Sequence, residues 1–150
     1  MRQVKEEFEG YFYSEVVSPI QKANYRVGDP TIYADDLPEE SEDGYLGKLE
    51  GKVEFYDGSW LEFMEVIEFS NNKISGCLDM DRPFYKYNYH DSDNLIRIAY
   101  HCSPKEKIYK SLNSFPHHKH VGPNKNDYTE GNKDVKIKDI IEEIENELEE

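Results

Sequence analysis

Residues 45–69 carry the pattern that most narrows what this chain can fold into. Two runs rich in β-forming residues flank Asp57-Gly58. Asp-Gly between alternating apolar residues is a strong hairpin signal, because such turns need positive φ. Register follows from which residues must share a face. A three-residue loop, Tyr56 to Gly58, sets Leu49, Val53 and Phe55 on one face with Leu61, Phe63, Ile67 and Phe69. A two-residue turn would put Trp60 and Glu62 there instead, since a one-residue slip exchanges the faces. The apolar match selects the three-residue loop with its bulge.

A second hairpin follows at Phe84 to His101, around Asp91-Ser92-Asp93-Asn94. With Ser92-Asp93 as its turn, Tyr85 pairs Tyr100, Tyr87 pairs Ile98 and Tyr89 pairs Ile96. One face is then aromatic, and the other carries Lys86, Asn88, His90, Arg97 and Ala99. His90 lies by the turn and His101 at the far end, so only one of them can approach a site built on a further strand. Asn71-Asn72-Lys73 reads as a turn, and Ile74 to Met80 as a short strand. Residues 5–17 read as a helix that Ser18-Pro19 ends, and Ile20 to Val27 as an edge strand. Gly28 to Gly44, rich in acidic residues and proline, reads as a mobile acidic loop. Ser103 to Ser114 is a polar connector, Phe115 to Val121 a last strand, and Pro123 to Asp134 a loop. Residues 137–150 form an amphipathic helix with Ile137, Ile140, Ile141, Ile144 and Leu148 on one stripe. The expectation is a single α+β domain over 1–150: a curved, mostly antiparallel sheet of five to seven strands, with a helix near each terminus.

No apolar run approaches the roughly 18 residues that cross a bilayer, and no apolar segment of signal-peptide type follows the N-terminus. Cys77 and Cys102 lack Cys-x-x-Cys spacing, which suits a reduced, cytoplasmic protein. The net charge of −14 is unevenly spread. Residues 1–80 carry 7 basic and 18 acidic side chains (−11), residues 134–150 carry 2 and 8 (−6), and residues 81–133 carry 9 and 6 (+3). An anionic ligand would be met in that basic third.

Inside it lies Phe115-Pro116-His117-His118-Lys119-His120-Val121, with three of the five histidines in four positions. In an extended segment His118 and His120 share one face, and His117 and Lys119 the other. Imidazole suits acid/base work near neutral pH, metal ligation or anion contact. As a ribonuclease site, His118 and His120 would serve as acid and base, with His117 beside them. Lys119 or Arg97 would meet the developing phosphate charge, and Tyr89, His90 and His101 would help to hold substrate. That reading needs no cofactor. As a metal site, His118 and His120 supply two ligands and need His101 or a carboxylate to complete the set. A third reading makes the strand a non-catalytic docking surface for a protein partner. Trp60 reads as core. The adjacent Cys102 and His101 would point to opposite faces, which argues against a nucleophile–base pair.

The motif order resembles the TumE-type toxins of prokaryotic toxin–antitoxin pairs. It runs Gly44-Tyr45-Leu46, then Tyr56 to Glu65, then Tyr85-Lys86-Tyr87-Asn88-Tyr89-His90. The Phe-Pro-His-His-Lys-His block, its most specific part, and an acidic closing helix complete it. The resemblance spans about residues 5–148 and implies a toxin with an antitoxin partner. For an acidic toxin that partner would be basic or DNA-binding; RNA is the candidate substrate, no membrane is involved, and a homo-oligomer is open. The chain departs from the pattern at Ile98 to Glu106, where similar proteins carry an asparagine and a further histidine pair.

Overall fold

The computed structural model describes residues 2–34, 39–41, 44–71, 78–124 and 126–149. A helical segment opens the chain: α1 (Arg2–Tyr11), a π-helical turn (Phe12–Val17) and α2 (Ser18–Gln21). Pro19 does not end the helix as expected. It sits in the first turn of α2, where a missing N–H costs nothing. Eight strands follow: β1 (Arg26–Ala34), β2 (Glu39–Ser41), β3 (Gly44–Phe55), β4 (Trp60–Asn71), β5 (Leu78–His90), β6 (Ile96–Cys102), β7 (His117–Val121) and β8 (Tyr128–Glu130). Helix α3 (Ile137–Leu148) closes the described chain. All strand pairs are antiparallel, in the order β1-β3-β4-β5-β6-β7-β8. β2 pairs the other end of β3, so β1 and β2 share one position and the open sheet has seven. The fold is α+β, as expected.

The first hairpin has the anticipated register. Val53 pairs Leu61, and the Phe55 N–H donates to the Ser59 carbonyl across the loop Tyr56–Gly58. Gly58 holds φ of 86°, a conformation glycine adopts without a Cβ clash.

Four expectations are corrected. The edge strand begins at Arg26 rather than Ile20, because Ile20 is buried within α2. It then runs to Ala34 into the segment expected to be loop, and Glu39–Ser41 is also strand. The exposed N–H and C=O groups of β3 give that polar segment a partner whatever its composition. The second hairpin is displaced by two residues, with Tyr85 opposite Cys102, Tyr87 opposite Tyr100 and Tyr89 opposite Ile98. Its loop is longer than the expected turn. Asn94 takes φ of 65°, and the Asp91 carboxylate accepts from the Asp93 and Leu95 N–H groups. An even shift leaves each side chain on its face. Finally, β7 is not the last strand, because β8 pairs its outer edge. The turn expected at Asn71–Lys73 and the strand expected from Ile74 fall mainly on residues 72–77, outside the described residues.

One sheet face is covered by the helices. Leu49, Val53, Leu61, Phe63, Ile67, Tyr85, Tyr87 and Tyr89 meet Phe8, Val16, Ile20 and the isoleucines of α3 there. Gly47 lets α1 approach, since a Cβ at that position would lie 2.3 Å from the Phe8 ring. Beneath α1 a polar group is sealed into this core. Glu65 accepts from Tyr11 (2.7 Å) and Arg82 (2.9 Å), and Arg82 also donates to Tyr87 and to the Val135 carbonyl. Arg82 reaches inward because β5 carries an extra residue between its pairings at Asp81 and Phe84. Pro83 occupies that bulge, one of the few places a central strand admits proline.

Candidate functional site

The opposite sheet face carries the histidine chemistry. Direct antiparallel partners share a face, and His101 on β6 lies opposite His118 on β7. His120, two residues on, lies opposite Ala99, whose small side chain leaves room. The three imidazoles therefore converge. Ring centroids are 5.2 Å apart for His101–His118, 5.2 Å for His101–His120 and 4.9 Å for His118–His120.

A lid closes over them from the connector. A 3₁₀ turn (Lys107–Tyr109) lays the Tyr109 ring on His118 with centroids 3.6 Å apart and planes 12° apart. The Tyr109 hydroxyl lies 3.4 Å from His120 Nε2. Tyr128 of β8 packs edge-on against Tyr109 and nears His120. Ser114 and Glu130 pin the connector, with the Glu130 carboxylate accepting from the Asn113 and Ser114 N–H groups. At Gly131 the chain passes His118 so closely that a Cβ would lie 2.5 Å from its backbone nitrogen. As a result His118 is 0% and His120 5% exposed. A cavity of about 70 Å³ beside His101 and His120, lined by Ile96, Ala99 and the Gly122–Asn124 turn, adjoins the cluster.

Hydrogen bonds define the state of the rings. Asn88 donates its amide N–H to the Glu62 carboxylate, so its carbonyl oxygen faces His101 Nε2 at 2.7 Å. That oxygen only accepts, so His101 carries its proton on Nε2 and a lone pair on Nδ1. Among the described residues no group makes a well-formed hydrogen bond to either ring nitrogen of His118 or to His120 Nδ1. Burial and the neighbouring imidazoles push His101 down to about 3 and His118 down to about 4, and burial lowers His120. All three are neutral at pH 7, the form that accepts a proton or binds a metal.

The remaining candidates lie elsewhere. His117 and Lys119 project to the helix-covered side. His117 Nδ1 meets the Tyr85 hydroxyl at 2.9 Å, and Lys119 pairs Glu143 of α3 at 2.9 Å. Arg97 sits at the β5–β6 bulge and reaches Glu147 at 3.4 Å. Tyr89 is fully buried on the helix-covered side and donates to Ser59. His90 stacks on Trp60, with centroids 3.9 Å apart, near the far end of β5. Trp60 is half-buried on the open face rather than in the core, with Lys52 over its ring. As the second hairpin implied, one histidine of the pair, His101, joins the cluster and the other does not. Sequence reasoning missed Tyr109, a single aromatic in a polar connector, and the orienting pair Asn88 and Glu62.

An antiparallel sheet with helices on one face and a lidded imidazole trio on the other defines a small α+β protein with one chemically distinctive centre. The family profile described as Toxin TumE matches residues 22–148, and the chain belongs to that family of toxins. Membership implies an antitoxin partner. No curated protein and no solved structure matches the chain. Among the described residues no helix is long and apolar enough to cross a membrane.

Proposed function

We propose that this toxin is a ribonuclease whose reacting groups are His101, His118 and His120, with Tyr109 beside them. The observation that carries the reading is the convergence of three imidazoles, with both ring nitrogens of His118 and Nδ1 of His120 unpartnered among the described residues. In such a reaction the trio takes the proton of a ribose 2′-hydroxyl. The freed oxygen attacks phosphorus, the bond to the 5′ oxygen breaks, and that oxygen receives a proton. Burial raises Tyr109 above its ordinary value, so its hydroxyl holds a proton at pH 7 and suits the donor role. Lys105, Lys107 and Lys110 are exposed on the connector that carries Tyr109, and they supply positive charge for phosphate. RNA reaches His118 when this connector lifts. His117, Lys119 and Arg97 fall out of the reacting set, because their partners hold them on the helix side. The antitoxin is read as a basic, DNA-binding protein, in keeping with the charge of −14.

The test is induced expression with growth and total RNA followed together. Wild type and His117→Ala/Lys119→Ala should arrest growth and degrade RNA, while a folded His118→Ala/His120→Ala variant should do neither. Arrest that survives in the latter variant would move the activity away from the trio. Arrest without RNA decay would favour a toxin that acts by docking a protein.

A further inference from the structure

The geometry points to a transition-metal site at His101, His118 and His120, suited to Zn²⁺ or another borderline divalent ion. One candidate ligand atom from each of the three residues lies within 4.8 Å of the others. Zn–N bonds of about 2.0–2.1 Å at near-tetrahedral angles place imidazole centroids about 5 Å apart. The observed centroid spacing of 4.9–5.2 Å matches that distance. Around such an ion the nitrogens stand about 3.4 Å apart, so the rings turn inward by about an ångström when it enters.

Three further features separate this trio from buried histidines that merely pack. Among the described residues the ring nitrogens of His118 and Nδ1 of His120 have no partner, although leaving a buried polar atom unpaired is destabilising. A metal ion would take the lone pair of one nitrogen on each ring. His101 is already set in the tautomer a ligand needs, because the Glu62–Asn88 relay fixes its proton on Nε2. Outer groups of this kind orient metal-bound histidines in general. The cavity of about 70 Å³ beside His101 and His120 gives room for a small fourth ligand, since a water needs only about 10–15 Å³. Three nitrogen ligands with one open position is the arrangement of catalytic rather than structural zinc. Neutral nitrogen donors without thiolate or carboxylate favour Zn²⁺, Co²⁺, Ni²⁺ or Cu²⁺ over Mg²⁺ or Ca²⁺. The inference stands on this geometry and does not require RNA to be the target. His101, His118 and His120 would then hold the ion, which would supply Lewis-acid chemistry and lower the pKa of a bound water.

The experiment uses the full chain without a histidine tag, treated with a chelator and then titrated with Co²⁺, and with Zn²⁺ against a chromophoric competitor. Wild type should bind one equivalent and develop the intense visible bands of tetrahedral Co²⁺. His101→Ala, His118→Ala and His120→Ala should each lose those bands and weaken Zn²⁺ binding by at least 100-fold. Asn88→Leu should weaken it about 10–100-fold, and His117→Ala should bind as wild type. Circular dichroism shows which variants are folded. No stoichiometric tetrahedral Co²⁺ signal in folded wild type overturns the site, as does unchanged binding by folded His118→Ala. RNA turnover is scored separately on the same samples. Tight binding without turnover supports the metal site and removes the ribonuclease reading. Turnover by chelated protein that binds no Co²⁺ removes the metal site and leaves the ribonuclease reading standing.

Discussion

Arg82 shows how a single residue answers to its surroundings rather than to its type. It is 8% exposed, yet each described polar contact is made within the protein: Glu65, the Tyr87 hydroxyl and the carbonyls of Lys133 and Val135. Taking one member from a buried ion pair leaves the other charge unpaired, at a cost of about 3–5 kcal/mol. Arg82→Met should therefore lower the stability measured by urea unfolding by about that amount. Glu65→Leu/Arg82→Met should regain much of it, since no charge is then stranded. Equal losses in the single and double variants would show that packing, not charge, sets the cost. The histidines obey the same logic. Alternation along one strand already separated His118 and His120 from His117 and Lys119, because side-chain direction in a strand is local geometry. Tyr109 escaped notice for the opposite reason, because its role lies in stacking across 9 residues of chain on a strand it does not belong to.

At the scale of elements, the hairpin β3–β4 was legible because its loop, its bulge and its apolar face all demand one register. Asp57 is the turn's local support. It accepts from the N–H and hydroxyl of Ser59. Burial alone would raise its carboxyl, but these bonds outweigh it and hold the group below its ordinary value of 3.8. A lowered folded value means that the charged form stabilises the fold. The contribution is complete above the ordinary value and is lost as pH falls through the folded one. Asp57→Ala should cost about 0.5–1.5 kcal/mol at pH 7, and the gap from wild type in urea unfolding should shrink only below about pH 4. A gap that is flat down to pH 2 would show that the charge is irrelevant to the turn. The second hairpin misled by two residues because Asn94 in the left-handed region lengthens its loop. Asn94 was part of the recognised turn cluster, but nothing local says which of four polar residues turns the chain. β8 was missed and β1 was misplaced for a shared reason. Both are polar strands at the sheet edges, recruited by backbone groups of β3 and β7 rather than by a hydrophobic pattern of their own.

For the molecule as a whole, α3 is the element that joins the parts. Its isoleucines at 137, 140, 141 and 144 are at most 5% exposed. Its glutamates reach in several directions: Glu143 to Lys119 and Tyr100, Glu145 to Asn24, Glu147 to Arg97 and Glu149 to Tyr25. A chain truncated after Lys136 should lose its cooperative urea transition and bind a hydrophobic dye, because the covered sheet face would lie open. A sharp transition in that variant would show that α3 is dispensable to the core. The sequence by itself determined the fold class, the first register, the amphipathic closing helix, the kinship and the division of the histidine block between two faces. Each of these depends on periodicity, turn chemistry or motif order along contiguous chain. Only the tertiary structure decided that His101 stands opposite His118, that Asn88 orients it, that Tyr109 covers the pair, and that His117, Lys119 and Arg97 are engaged on the far side. Those facts depend on which strands become neighbours and on where a loop comes to rest, and long-range pairing of that kind leaves no local trace.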